Sequence, residues 1–203
     1  MATSPVSPRK TPRQARSTAT FDAILEAAAH ILRDSGLAAL TTNAVAERAG
    51  ASIGSLYQYF PNKNAILSEL IRQRRQTMLN EIRATLHQPG RISFSRMVDG
   101  MIAAGITHQL EDPAVSRALE YAEAILPIEA ETEALNTAIV KEVTDLLTTQ
   151  GIADPHVVAQ DIAALSRGMI DAAGLNGETD ANYLTERVKR AVTGYLRTTP
   201  KRD

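Results

Sequence analysis

In the stretch 51-ASIGSLYQYFPNK-63, Tyr57, Tyr59 and Phe60 are three of the chain's eight aromatic residues, set among Ser52, Gly54, Ser55, Gln58 and Lys63. These side chains suit recognition of a patterned polyanion better than bond-breaking chemistry. Phenol hydroxyls and a lysine reach phosphate oxygens, while a glutamine amide pairs with a base edge in a major groove. A serine hydroxyl donates or accepts there, and a glycine lets the backbone come close. The same Tyr-x-Tyr-Phe pattern on a short amphipathic helix also serves packing, so the residue types alone leave both readings open.

Catalytic chemistry has little to draw on. His30, His87, His108 and His156 are scattered, without the spacing of a helical metal motif. No Glu-x-x-His occurs, as a di-iron bundle would need. The sequence holds neither a phosphate-binding glycine loop nor a Gly-x-Ser-x-Gly elbow. It has no cysteine, which excludes disulfides, thiolate ligands and cysteine nucleophiles. The expectation is a binding protein rather than an enzyme, with no cofactor and no metal.

The elements around this stretch would position it. Phe21, Ile24, Leu25, Ala28 and Leu32 form one apolar stripe of helical period from Ser17 onward, with Gly36 as a natural stop. Thr41 is suited to cap a short helix over residues 42–49, whose buried side would be Val45, Ala46 and Ala49. Gly50 supplies a turn position, and Ser52 caps a third helix that ends at Phe60 because Pro61 follows. Two short helices joined by a tight glycine-containing turn have the layout of a helix-turn-helix. At about 100° per residue, Ile53, Leu56 and Phe60 share one side, expected to pack on the first helix. Gly54, Ser55, Gln58 and Tyr59 share the opposite side, with Tyr57 on the flank. Thr41, Thr42, Ser52 and Lys63 stand at helix starts, where free N–H groups and the helix dipole favour phosphate.

Charge is distributed to match. Through His87 there are eleven Lys and Arg against six Asp and Glu, and beyond it eleven against seventeen, so a net charge of −1 conceals a basic front and an acidic back. The basic front points to a polyanionic partner. Residues 1–16, MATSPVSPRKTPRQAR, carry three prolines, four basic residues and no acid, and read as a flexible basic arm. Arg9, Lys10, Arg13 and Arg16 there are candidates for minor-groove or backbone contacts, or form a solvated tail. The longest apolar run, Gly100–Ile106, is far short of the roughly 20 residues of a membrane span. No secretory signal opens the chain, and a cytoplasmic protein is expected.

The segments Thr41-Thr42…Val45-Ala46-Glu47-Arg48-Ala49-Gly50 and Ser52-Ile53-Gly54-Ser55-Leu56-Tyr57-Gln58-Tyr59-Phe60-Pro61-Asn62-Lys63 resemble the DNA-binding domain of the tetracycline-repressor (TetR-like) family of bacterial regulators. The likeness covers about residues 17–67. It implies that Thr41, Thr42, Tyr57 and Lys63 grip phosphates and that Ser55, Gln58 and Tyr59 serve mainly the groove. Asn64 departs from the family, which often has an acidic residue there; the lost dipole interaction is a few tenths of a kcal/mol.

Beyond Pro89-Gly90 the helical pattern continues over about 91–110, 113–126, 129–149, 156–175 and 181–198, giving an all-α chain of about nine helices. The expected division is a basic arm at 1–16, a helix-turn-helix domain at 17–62 and a larger helical ligand-binding and dimerisation domain at 63–203, with a connecting helix at about 63–87. Val158, Ile162, Leu165, Met169 and Ala172 make one apolar stripe, and Leu184, Val188, Ala191 and Tyr195 a second. The resemblance implies a homodimer built on the last two helices, and two recognition helices need such a dimer to meet half-sites one DNA turn apart; internal core is the other reading of both stripes. Met97, Met101, Gly105, Tyr121, Ile125 and Met169 are candidates for a ligand pocket, since methionine adapts to a ligand's shape, or for core. His108 and Asn136 are candidates to orient a ligand.

The reading that follows is a homodimeric regulator of double-stranded DNA, a repressor of a pseudo-palindromic operator released by a small-molecule effector. A DNA-binding regulator without an inducer, and a helical enzyme or carrier with vestigial DNA contacts, are the alternatives.

Overall fold

The computed structural model describes residues 6–10, 15–88 and 93–201. Among the described residues nine helices follow one another: α1 (Ala15–Ser35), α2 (Thr42–Arg48), α3 (Ile53–Tyr59), α4 (Lys63–Leu86), α5 (Phe94–Leu110), α6 (Pro113–Glu123), α7 (Glu129–Thr149), α8 (Pro155–Leu175) and α9 (Ala181–Thr198). One 3-10 turn, Leu37–Ala39, and one isolated bridge between Ile152 and Lys201 complete the description. The all-α expectation holds. Two compact units form: Met1–Arg74 with Ala114–Glu129, and Arg75–Pro113 with Ala130–Asp203. The division falls inside α4, so one unbroken helix belongs to both.

In the first unit the expected stripe of α1 is buried throughout: Phe21, Ile24, Leu25, Ala28 and Leu32. Val45 and Ala46 of α2, Leu56 of α3, Ile66 and Leu70 of α4, and Val115, Leu119 and Ala122 of α6 close the same core. Phe60 is fully buried, its ring stacked on Phe21 at 4.8 Å between centroids. Gly36 ends α1 with φ of 73°, its N–H bonded to Leu32 O at 3.1 Å.

The second unit packs α5, α7, α8 and α9 around Val98, Ile102, Ile106, Val143, Leu147, Val158, Ile162, Leu184, Val188 and Val192. Small residues set its helix spacing. A Cβ at Gly100 would lie 2.3 Å from Thr85 Cγ2, and one at Gly174 would lie 2.4 Å from Gln109 Nε2. The C-terminal end of α4 is held to α7 by Glu142, which accepts from Arg83 Nε at 2.8 Å and has His87 Nε2 at 3.3 Å. The hydrogen bond from Arg83 holds the Glu142 carboxyl below its ordinary pKa, against a smaller opposing effect of burial. Lys189 of α9 and Asp99 of α5 pair at 3.0 Å.

No helix among the described residues is long and apolar enough to cross a membrane.

Candidate nucleic-acid interface

Capping chemistry places α2 and α3. Thr41 Oγ1 accepts from Ala44 N at 3.1 Å and starts α2. At its other end Gly50 takes φ of 62°, its N–H bonding Glu47 O at 3.1 Å while Ala51 N–H bonds Ala46 O at 2.9 Å. That paired closure turns the chain sharply within two residues. Ser52 Oγ then accepts from Ser55 N at 3.0 Å and starts α3. Asn62 Oδ1 accepts from Ala65 N at 2.9 Å at the start of α4. Each cap is worth roughly 0.5–2 kcal/mol, so three helix starts within about twenty residues are set by side chains of the sequence itself.

The exposed surface of α3 carries Gly54, Tyr57 and Gln58, with Ile53 and half-buried Ser55 at its edges. A Cβ at Gly54 would meet only Ser52 Oγ, at 3.9 Å, so the space above this backbone is open. Tyr57 is 39% exposed and its hydroxyl lies 3.2 Å from Thr42 Oγ1, linking the outer flank of α3 to the first residue of α2. Ser55 Oγ is 2.8 Å from Ser52 Oγ, so one of these hydroxyls donates to the other. Lys63 is exposed in the first turn of α4. The arrangement offers an amide, a phenol, an ammonium group and an uncovered stretch of helix backbone on one exposed surface.

Two positions differ from the sequence expectation. Tyr59 is buried, 8% exposed, with its ring set edge-on to Phe21 at 5.8 Å. Ile53, expected inside, is 39% exposed. The cause is Phe60: with φ of −121° and ψ of 116° it has left the helix. A helical wheel that includes it keeps Leu56 inside but turns the buried side away from Tyr59 and toward Ile53. Tyr59 is thus a core residue and belongs to no groove-facing set.

Residues 6–10 of the arm also lie where composition gave no sign. Arg9 N–H donates to Tyr59 O at 2.7 Å and its guanidinium donates to Tyr57 O at 3.3 Å. Arg72 donates to Val6 O at 3.2 Å. Residues 6–10 therefore run along the C-terminal end of α3, which receives a positive charge at its free carbonyls. Arg16 lies within α1, Lys10 is exposed, and Arg13 falls outside the described residues.

Residues 24–70 match the bacterial regulatory proteins of the tetR family, and residues 93–196, half of the chain, match the tetracyclin repressor-like C-terminal domain. The chain belongs to the tetR family of bacterial regulatory proteins. No curated protein matches it. Among solved structures it is similar to the fatty acid degradation regulator FadR of Bacillus halodurans, with a TM-score of 0.73 at 17% identity over 92% of this chain and 99% of that one. A putative transcriptional regulator of Pseudomonas aeruginosa PAO1 gives 0.71 at 16% identity over 91% of each chain. The complex of SmeT with triclosan gives 0.66 at 20% identity over 90% and 92%; SmeT is the repressor of a multidrug efflux pump of Stenotrophomonas maltophilia. These likenesses show a shared fold.

In this tetR-family regulator α2 and α3 are the helix-turn-helix. Arg48, at the end of α2, is engaged within the chain by Asp34 at 2.8 Å and His30 Nδ1 at 3.1 Å. The remaining candidates distribute unevenly. Val158, Ile162, Leu184 and Val188, expected at a dimer interface, are at most 8% exposed and form the second unit's own core. For these four the internal-core reading is correct, because a side chain filled around by its own fold leaves no surface for a partner. Leu165, Met169 and Tyr195 are half-buried on the same core, and Ala191 is half-buried. Tyr195 donates its hydroxyl proton to Asp161 of α8, a bond that raises the pKa of the phenol. Of the pocket candidates, Met97, Met101, Gly105 and Met169 are half-buried in the second unit, and a Cβ at Gly105 would lie 3.1 Å from Ile170 Cδ1. Tyr121 and Ile125 belong to the first unit and are 65% and 66% exposed. Asn136 accepts from Arg167 of α8, and His108 is half-buried.

Proposed function

We propose that the chain is a homodimeric repressor that reads a pseudo-palindromic operator with α3 and leaves it when a small molecule binds. One observation carries this reading. Within a capped helix-turn-helix of a tetR-family regulator, Gln58 and Tyr57 flank an uncovered backbone at Gly54. In the complex Gln58 pairs with base edges, and Gly54 admits the groove wall. Thr41, Thr42, Tyr57 and Lys63 contact phosphates and fix the register.

Two copies join through the exposed side of α8 and α9, opposite the buried stripes. That side carries Val157, Ala164, Gly168, Leu175 and, on α9, Tyr183 and Gly194; Cβ atoms at Gly168 and Gly194 would meet nothing. Small residues there let a second copy approach closely. The effector binds in the second unit against Met97, Met101, Gly105 and Met169. α4, continuous through both units, carries the change to the first. A coupling of about 1–3 kcal/mol weakens operator binding by roughly 5–150-fold, enough for release. SmeT bound to triclosan and a fatty acid degradation regulator suggest an apolar or amphipathic effector. The protein acts by binding, without catalysis, in the cytoplasm where the DNA is.

The test has two parts. Sedimentation of the protein with its selected operator reads stoichiometry, and two chains or a multiple of two per operator is expected. A ligand screen by thermal shift then supplies compounds for operator titrations. Compounds that raise Tm should lower operator affinity. One chain per operator, or stabilising ligands that leave affinity unchanged, would reject the dimer or the inducible release respectively.

A further inference from the structure

Ile53 is the first residue of α3 and is 39% exposed, although isoleucine is among the residue types most often buried. The core beneath it is already filled by Leu56 and Phe60, both fully buried, and by Tyr59. Packing therefore does not account for it. Nor is it a lone apolar residue on a polar surface. Tyr57, one helical turn on, is equally exposed, and its hydroxyl is held to Thr42, so the two make an apolar strip with one fixed wall. Ser52 and Ser55, whose hydroxyls stand beside Ile53, share a hydrogen bond that engages the proton of one of them. The leading end of α3 thus presents hydrocarbon, while hydrogen-bonding capacity lies further along at Gln58.

We propose that Ile53 is a specificity-determining residue that selects thymine in the operator by contact with its C5-methyl group. This rests on the reading of α3 as the helix in the major groove. In that groove a recognition helix contacts base edges with its N-terminal residues, and the thymine methyl is the apolar feature of the base-edge pattern. Isoleucine is suited to find it. Its branched Cβ leaves essentially one χ1 rotamer in a helix, so little side-chain freedom is lost on contact. Ile53 and Gln58 then read different bases by different chemistry, the one by a methyl contact and the other by hydrogen bonds.

Replacing thymines of the selected operator one at a time with deoxyuridine removes the methyl and keeps every hydrogen bond. The wild-type protein is expected to lose about fourfold in affinity at one thymine in each half-site, the factor for one buried methyl group. The Ile53→Ala variant, whose fold is checked by its melting temperature, should bind the thymine and deoxyuridine operators equally. Ile53→Val should keep part of the difference. Indifference of the wild-type protein to deoxyuridine at every position overturns the proposal while leaving operator reading intact. So does an Ile53→Ala variant as sensitive as wild type. Failure to select any operator would overturn both this inference and the reading beneath it.

Discussion

The hydroxyl of Tyr57 lies 3.2 Å from Thr42 Oγ1, so the outer flank of α3 and the start of α2 are joined by a hydrogen bond on the surface that faces outward. In the proposed complex both residues contact phosphate. The bond would then hold two phosphate ligands at a fixed separation before DNA arrives, which reduces the ordering needed on binding.

Tyr57→Phe should therefore weaken binding to all sequences alike, by about 1 kcal/mol for one neutral hydrogen-bonding group, with little change in the salt dependence. Lys63→Ala should also weaken all sequences, but with a salt slope smaller by about one, because a counterion-releasing charge is lost. Affinity against salt on two unrelated operators separates the two. Equal slopes for both variants would contradict the assignment.

Gln58→Ala should act otherwise. It should cost about 1–3 kcal/mol on the selected operator and almost nothing on unrelated DNA, so base preference at its position relaxes. Selection from a random pool with the variant reads this directly; an unchanged motif would remove Gln58 from the reading set.

Gly54→Ala separates folding from function. The added methyl meets only Ser52 Oγ, at 3.9 Å. The helix should gain up to roughly 0.5–1 kcal/mol in thermal stability, since alanine is the better helix former. Operator affinity should fall, because the methyl stands where the groove wall comes close. A stabilised variant with unchanged affinity would mean that DNA does not approach α3 there.

Much of this region is legible in the sequence because its determinants are local. Thr41, Gly50, Ser52 and Pro61 fix where α2 and α3 begin and end, and each acts on its immediate neighbours. The orientation of α3 is not local. Phe60 is apolar and buried as expected, but it reaches the core from extended backbone, so it misleads a wheel drawn through it. The α8 and α9 stripes fail for a different reason. Val158, Ile162, Leu184 and Val188 have the same apolar period whether a partner or the chain itself covers them. The packing of α5 against both decides it. Packing of α6 into the first core likewise has no signal in its own residues.

The second unit should lose stability in acid through Glu142. The hydrogen bond from Arg83 lowers its folded pKa below the ordinary 4.5. The stabilisation is fully present above that value and is lost as pH falls through the folded pKa. Glu142→Gln should cost about 1 kcal/mol at neutral pH and progressively less below pH about 4.5. Urea unfolding across that range checks the sign; a variant equally destabilised at all pH values would show that the carboxylate charge is irrelevant.

Core and interface should respond in opposite ways. Leu184→Ala, at a fully buried position, should cost roughly 2–5 kcal/mol of stability. Gly168→Arg adds a side chain where nothing lies within 4 Å, so the single chain should still fold while dimerisation falls. Sedimentation velocity reads the second effect, and an intact Gly168→Arg dimer would move the interface elsewhere.

The central claim is that α3 reads a DNA sequence as one half of a symmetric pair. Selection of bound sequences from a random duplex pool, with affinity then followed against salt, tests it most directly. The account predicts a pseudo-palindrome bound about 10³-fold or more tighter than unrelated DNA at the same salt. No enriched motif, with binding that only fades as salt rises, would contradict it and leave a basic surface without a reader.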